Sequence, residues 1–415
     1  MVLLNPGWLT SFAVFLTAFG TITLYQIGSI HIRPYQVPLV VSVLIIFSQF
    51  LLNKRRLFIP THFYILFLFL LTVMISIINA KFPVITLKQT ILLLVYIILF
   101  FLIINTCNTE KKLLLLYRFI IISCFFVCVY GMYMMVIENL PGVPKVGGYL
   151  FNRPKSFFAE PNEFGQYLVF IFGYIFSELI SKRKIVGRIF LWINFLLILI
   201  LLVANISRGS WLGFLIIICS VIYYQNKFKL RRTNFGKIFK IIVLFLTLWV
   251  TGLFFASEII STSEKGDFTA YTIARIFSLA IAQDETFLIR LENNKKAVET
   301  MIECPFTGIG FGNVGTISGG DYKYGGTSSN FLSDIGAETG IFGLASFLFF
   351  LIAIFKKGLK NIKNTKNEKT KIIFIGALGS YIGLLVNGLT YASHILPFLW
   401  ISAGILSTKK LSSLD

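Results

Sequence analysis

The chain has 415 residues, of which 56% are apolar and 13% charged, and its mean hydropathy is +0.81. Soluble domains carry about 25% charged residues, so a water-soluble enzyme is excluded and a polytopic membrane protein is indicated, with room for one modest polar region. A net charge of +20 invites a nucleic-acid reading, and the placement of the 38 Lys and Arg decides against it.

Apolar runs near 8–27, 36–52, 61–79, 84–105, 113–137, 162–181, 188–206, 208–225, 237–256, 336–355, 371–391 and 394–408 predict an all-α chain of twelve spans. An even count puts both termini on one side. No Lys or Arg precedes the first run, which therefore lacks the charged region of a cleaved signal peptide and is expected to be kept. The connections alternate in charge. Loops at 54–56, 111–112, 182–188, 227–237, 356–371 and 409–410 hold 23 Lys and Arg, the opposite side 12. By the positive-inside rule the first set, with both termini, is cytoplasmic. Acidic residues run the other way: 14 of 18 lie in or beside outward loops, all but Glu110, Glu178, Glu368 and Asp415. The basic excess is a signal of topology and implies no nucleic-acid partner.

Five cysteines and three scattered histidines, His31, His62 and His394, form no CxxC or HExxH spacing, so neither a disulfide framework nor a metal site is expected. The whole chain, 1–415, reads as one integral membrane domain with two longer outward loops, 138–161 and 257–335. Amphipathic stretches at 274–281 and 287–302 predict short helices lying over the membrane face as an ordered cap. No internal repeat is visible, and the long loop falls between helices nine and ten rather than at the middle, which disfavours a two-bundle transporter.

Three outward arginines stand out. Arg153 ends the first outward loop, and Arg208 sits in the tight turn Asn205-Ile206-Ser207-Arg208-Gly209-Ser210-Trp211. A cation in the first turn of a helix opposes the macrodipole. A bound phosphate would compensate, matching the guanidinium fork and the helix amides. Snorkelling into lipid headgroups is the structural alternative. Arg290 opens the amphipathic run of the long loop, where a local pair with Glu292 or Asp284 competes with a ligand role. Together the three suggest a diphosphate site.

Glu160 and Glu163 flank Pro161-Asn162 at the start of helix six. Helix capping accounts for them, and the alternative makes Glu160 a base or sugar ligand beside Arg153. Cys304-Pro305-Phe306-Thr307-Gly308-Ile309-Gly310-Phe311-Gly312-Asn313 imitates a phosphate loop but has no preceding strand and lies outside the cell. Its glycines are expected to permit tight turns and close approach of the backbone to a ligand. Asn330, Asp334 and Glu338 recur every four residues on one helical face, either an interfacial stripe or a site.

Taken in order, Arg153 with Pro161-Asn162, Ser207-Arg208, Arg290 before the glycine-rich segment, Asn330-Phe331-Leu332 and Glu338-Thr339-Gly340-Ile341-Phe342-Gly343 resemble the O-antigen ligase and polymerase superfamily of bacterial inner membranes. The resemblance runs from about 145 to 345. It implies a metal-independent, cofactor-free glycosyltransferase of GT-C architecture acting on undecaprenyl-diphosphate-linked oligosaccharides. Membrane lipids, a chain-length regulator and a flippase would be its further partners. Ligases of the family show His-Asn where this chain has Ser329-Asn330, a departure that favours a repeat-unit polymerase of the Wzy type, for O-antigen, capsule or exopolysaccharide, over a ligase.

On this resemblance Arg153, Arg208 and Arg290, with Asn162, Gly310 and Asn330, would hold diphosphate and glycan. The general base stays open among Glu160, Asp334, Glu338 and His394. Two rivals remain: a lipid-linked oligosaccharide flippase, which should show ionisable groups at mid-bilayer depth, and a peptidoglycan glycosyltransferase of the shape, elongation, division and sporulation type, whose usual ten spans fit less well.

Overall fold

The computed structural model describes residues 5–27, 30–138, 152–230, 285–316, 330–391 and 396–409. Among them lie twelve α-helices: α1 (Pro6–Thr17), α2 (Gln36–Leu51), α3 (His62–Ile75, extended by the 3-10 turn Ser76–Asn79), α4 (Pro83–Thr106), α5 (Glu110–Ile137), α6 (Pro161–Leu179), α7 (Arg188–Ala204), α8 (Arg208–Lys227), α9 (Glu285–Glu303), α10 (Phe331–Asn364), α11 (Glu368–Gly388) and α12 (Pro397–Ser407). One antiparallel hairpin pairs β1 (Tyr25–Ile27) with β2 (Ile30–Ile32).

Among the described residues six helices are long and apolar enough to cross a membrane, namely α3 with its extension, α4, α5, α8, α10 and α11, while α2, α7 and α12 are apolar but shorter. Eleven of the twelve expected apolar runs fall on helices; the ninth, at 237–256, lies outside the described residues. Two coincide only in part. The 12 residues of α1 and 11 of α12 span about 18 and 17 Å at 1.5 Å per residue, against about 30 Å of hydrocarbon. The run at 8–27 stops being helical after Thr17, where Gly20-Thr21-Ile22-Thr23 brings glycine and β-branched residues that favour extended backbone. The chain then enters the hairpin.

The centre of the fold is α6, whose residues 164–179 are all buried, as a helix apolar on nearly every side must be. Its long neighbour is α11, which runs antiparallel to α6 and α8 between them. Small residues set the spacing. A Cβ on Gly173 would stand 2.3 Å from Ser380 Oγ, one on Gly376 2.9 Å from Tyr174 Cα, and one on Gly213 2.8 Å from the Gly383 carbonyl. This is close small-residue packing of the kind membrane helices use where lipid offers no hydrophobic drive. Ser380 donates to the Phe170 carbonyl at 2.5 Å and Gln225 to Ser177 Oγ at 3.0 Å, satisfying polar groups that apolar surroundings would otherwise penalise. The result brings the end of α11 between the first turns of α6 and α8.

Hydrogen bonds gather the connections into two opposite sets. At one end Arg183 meets Glu368 at 2.5 Å, Asn367 donates to Glu110 at 2.6 Å, and Arg55 bonds the Asn105 carbonyl. Glu178 there accepts from Tyr117 Oη and the Ile185 amide at 2.5 Å and from the Val186 amide at 2.7 Å. At the other end Thr21 pairs with Phe157, Asn79 with Thr307, Arg153 with Asn205 and Arg290 with Thr390. These groups follow the two charge classes of the loops, and the three described acids of the basic end, Glu110, Glu178 and Glu368, are all hydrogen-bonded within it.

The expected helix at 287–302 is present in α9, whose exposed flank carries the pairs Lys296–Glu292 at 2.8 Å and Lys295–Glu299 at 3.8 Å. The stretch at 274–281 lies outside the described residues. Helix α10 is two helices, 331–339 and 341–364, hinged at Gly340 with φ 73° and ψ −175°. Only glycine adopts that backbone cheaply, and a Cβ there would stand 2.5 Å from the Pro305 carbonyl.

Candidate functional site

The three arginines come from three separate elements and are tied to one patch where α6 and α8 begin and α11 ends. Arg153, half-buried, donates through Nε to the Asn205 carbonyl at 2.7 Å and through Nη2 to Asn162 Oδ1 at 3.0 Å. Asn205, fully buried, donates in turn to the carbonyls of Pro154 at 3.0 Å and Pro161 at 2.7 Å. One asparagine thus fixes the Arg153 loop, the start of α6 and the turn leading to Arg208. That turn is strained: Ile206 has φ 51° and is buried, a conformation disfavoured for a β-branched residue and costing about 1–3 kcal/mol.

Arg208, half-buried, is the first residue of α8. Its neighbour Gly209 lies against Thr390, where a Cβ would stand 1.8 Å from Thr390 Oγ1. The carbonyl of Thr390 accepts from Arg290 Nη1 at 3.1 Å, so Arg290 and Gly209, the residue after Arg208, meet the same residue beyond α11. Asn387 reaches Ser210 Oγ at 3.1 Å, and Ser210 bonds Ser207 Oγ at 3.0 Å. Neither Ser207 nor Glu160 caps its own helix through its side chain. Two helix N-termini therefore point their positive ends at the patch that holds the arginines, an arrangement suited to an anion.

The capping explanation of Glu160 gives way to a division of labour. Glu163 does the capping, its Oε2 accepting from the Ala159 amide at 3.1 Å. Glu160 is exposed, and its Oε2 accepts instead from Tyr391 Oη at 3.0 Å. Tyr391 lies beyond the end of α11, where burial and then the Glu163 and Glu160 carboxylates hold its phenol well above the ordinary tyrosine range, so it stays a donor. Gln166 Nε2 grips the Tyr391 carbonyl at 3.2 Å. Tyr391, Thr390, Asn205 and Gln166 are all residues the sequence reading did not select.

Asp334 and Glu338 are buried in the short N-terminal half of α10. Asn330 caps that helix, its Oδ1 accepting from the Leu332 amide at 3.0 Å. Glu338 Oε1 accepts from the Val314 amide at 3.3 Å, and its carbonyl accepts from the Gly310 amide at 3.1 Å. The glycine-rich segment thus makes its close approach to the protein itself. With φ 96°, Gly310 lies where a Cβ would stand 2.5 Å from Ala80 Cβ, and Gly308 lies against the Glu338 backbone. Asn313 completes the clamp, accepting from the Phe82 amide at 3.0 Å and donating to Thr86 Oγ1 at 2.7 Å.

This second cluster meets α9 at Ala297, which packs with Val314 and Ala337, and at Met301, which faces Gly336. Those positions are seven and eleven residues beyond Arg290, about 11 and 17 Å along the helix. Glu338 and Glu160 consequently sit in separate hydrogen-bond networks bridged by α9. His394, Asp284 and Ser329 lie outside the described residues. Among the described residues no group of three His, Cys, Asp or Glu side chains is placed to hold a metal ion.

The fold and site define a multi-pass helical membrane protein with an arginine-rich patch at one mouth of its bundle. Residues 193–348 match the family model described as O-antigen ligase, so this part of the chain is similar to that family. The match takes in Arg208, Arg290, Asn330, Asp334 and Glu338, while Arg153 and Glu160 precede it. No curated protein matches the chain.

Proposed function

We propose that the protein polymerises undecaprenyl-diphosphate-linked oligosaccharide repeat units at the outer face of a bacterial cytoplasmic membrane, in a GT-C-type chain of twelve spans with both termini inside. The observation that carries this reading is the gathering at the mouth of α6, α8 and α11 of Arg153, held by Asn205 and Asn162, of Arg290, held by Thr390, and of Arg208, the first residue of α8. A diphosphate leaving group gathers negative charge as the sugar–phosphate bond breaks, and fixed guanidinium groups at helix N-termini favour that charge over the bound ground state. Asn162 orients Arg153, and Gly310 and Asn330 belong to the cap closing over the glycan.

Glu160 takes the proton of the attacking sugar hydroxyl, and the displacement inverts the anomeric centre. It is exposed, free of capping duty and seven residues from Arg153. Glu338 is committed to the Val314 amide, and Asp334 is buried beside it on the same helical face, so both rank behind it, with His394 as the remaining alternative. The carrier's apolar tail enters from the side. A groove of about 570 Å³ lined by Phe15, Phe19, Phe126, Tyr130 and Phe157 supports that path, since Phe157 belongs to the same loop as Arg153 and Glu160.

Ligase activity toward another acceptor is the second reading, favoured by the family's description and weakened by Ser329 in place of the ligase histidine. Deleting the gene and analysing surface glycan separates them. A polymerase deletion leaves single repeat units in place of polymer. A ligase deletion leaves full-length polymer on the lipid carrier, and that result would overturn the reading.

A further inference from the structure

We propose that Tyr391 is a positioning residue for Glu160, and that the turn following α11 couples the diphosphate-holding arginines to that carboxylate; the inference rests on the reading of Glu160 as base. The turn is built for rigidity. The amides of Leu389 and Thr390 fold back on Val386 and Asn387 at 3.2 and 2.9 Å, and Thr390 Oγ1 closes on the Asn387 carbonyl at 2.8 Å. Three elements then grip it from outside: Arg290 of α9 through the Thr390 carbonyl, Gln166 of α6 through the Tyr391 carbonyl, and Gly209 of α8 by close contact with the Thr390 side chain. From this anchored backbone the Tyr391 phenol reaches Glu160 Oε2 at 3.0 Å.

An exposed glutamate at a helix start has several rotamers open to it, and nothing in its own helix holds this one, since Glu163 supplies the cap. One phenol bond to one oxygen selects a rotamer and leaves the other oxygen for a substrate hydroxyl. The charged groups around the pair are Glu163 on α6 and Arg290 on α9, with Arg33 before α2 acting on Glu163 and Arg153 held beside them by Asn162. Because Arg290 bonds the residue next to Tyr391, seating of a diphosphate on Arg290 and the setting of Glu160 share one short piece of backbone.

The test uses purified protein in lipid nanodiscs and, as probe, the lipid-linked single repeat units extracted from cells lacking the gene. Tyr391→Phe keeps the ring and removes one hydroxyl. It should lower kcat about tenfold with an unchanged KM, because the carboxylate loses the bond that selects its rotamer. In a Glu160→Gln background Tyr391→Phe should change nothing further. A wild-type kcat for Tyr391→Phe, alongside a disabled Glu160→Gln, overturns the positioning role alone. An equal tenfold loss in both backgrounds also overturns it. A wild-type rate for Glu160→Gln itself removes the base assignment on which the inference stands.

Discussion

Gly165 offers a test of the site that changes none of its arginines or carboxylates. It sits in the second turn of α6, where a Cβ would stand 2.3 Å from Ser210 Oγ, 2.8 Å from Asn205 Oδ1 and 3.3 Å from Ser207 Cβ. Ordinary contact begins at 3.4 Å, so Gly165→Ala requires Ser210 Oγ to retreat by 3.4 minus 2.3, or 1.1 Å. Ser210 cannot turn away freely, because its hydroxyl bonds Ser207 and accepts from Asn387. The strain falls on residues 205–210, the segment that anchors Arg153 and carries Arg208. Overpacking of this kind costs about 1–3 kcal/mol of stability, whereas a misplacement of about 1 Å in a catalytic arrangement costs about 100-fold in rate. Gly165→Ala should therefore insert and fold, melt a few degrees lower, and make polymer about 100-fold more slowly. Gly187→Ala is the control, since no atom lies within 4 Å of a Cβ there. Repeat-unit transfer by purified protein, normalised to folded protein, is the assay. A wild-type rate for Gly165→Ala would refute the idea that this close helix contact sets the arginine geometry.

Arg208→Lys keeps the charge and loses the planar fork, so cells should insert the protein normally and lose most polymer on a glycan gel; wild-type polymer in Arg208→Ala cells would remove the diphosphate site. Glu178→Ala strands three donors, Tyr117 Oη and the amides of Ile185 and Val186, at about 1–3 kcal/mol for each one left buried. It should cut abundance and melting temperature while the rate per folded molecule stays unchanged, which separates the basic end of the bundle from the catalytic end. For topology, a single cysteine at position 265 should be labelled by an impermeant reagent from outside intact cells, and labelling only after permeabilisation would reverse the orientation.

Helix positions were legible because apolar periodicity and loop charge act over whole segments, and eleven expected runs meet helices in the structure. The exceptions are local. Mean apolarity at 8–27 hid the helix-breaking Gly20-Thr21-Ile22-Thr23, and nothing in the pattern of α10 announced the Gly340 hinge, which exists to pass the Pro305 backbone. Arg153, Arg208 and Arg290 could be picked out because all three fall on the side of the chain poor in Lys and Arg, and Arg208 stands where a helix macrodipole disfavours a cation. What joins them could not. Asn205, Gln166 and Thr390 are ordinary residues in sequence, and their roles arise from carbonyls 44 to 225 residues away. An amide side chain at the end of an apolar helix is the one signal that could have found Asn205 and Gln166. Likewise the division between Glu163 as cap and Glu160 as Tyr391 partner depends on side-chain directions that helix-start statistics do not contain.

The central claim is that this chain joins repeat units to one another. Purified protein in nanodiscs, supplied only with undecaprenyl-diphosphate-linked single repeat units and chelator, is the most direct test. The account predicts a ladder of lipid-linked products differing by one repeat unit, abolished by Arg208→Ala. No ladder with repeat units alone, together with transfer to an added lipid A core acceptor, would contradict it and identify the activity as ligation.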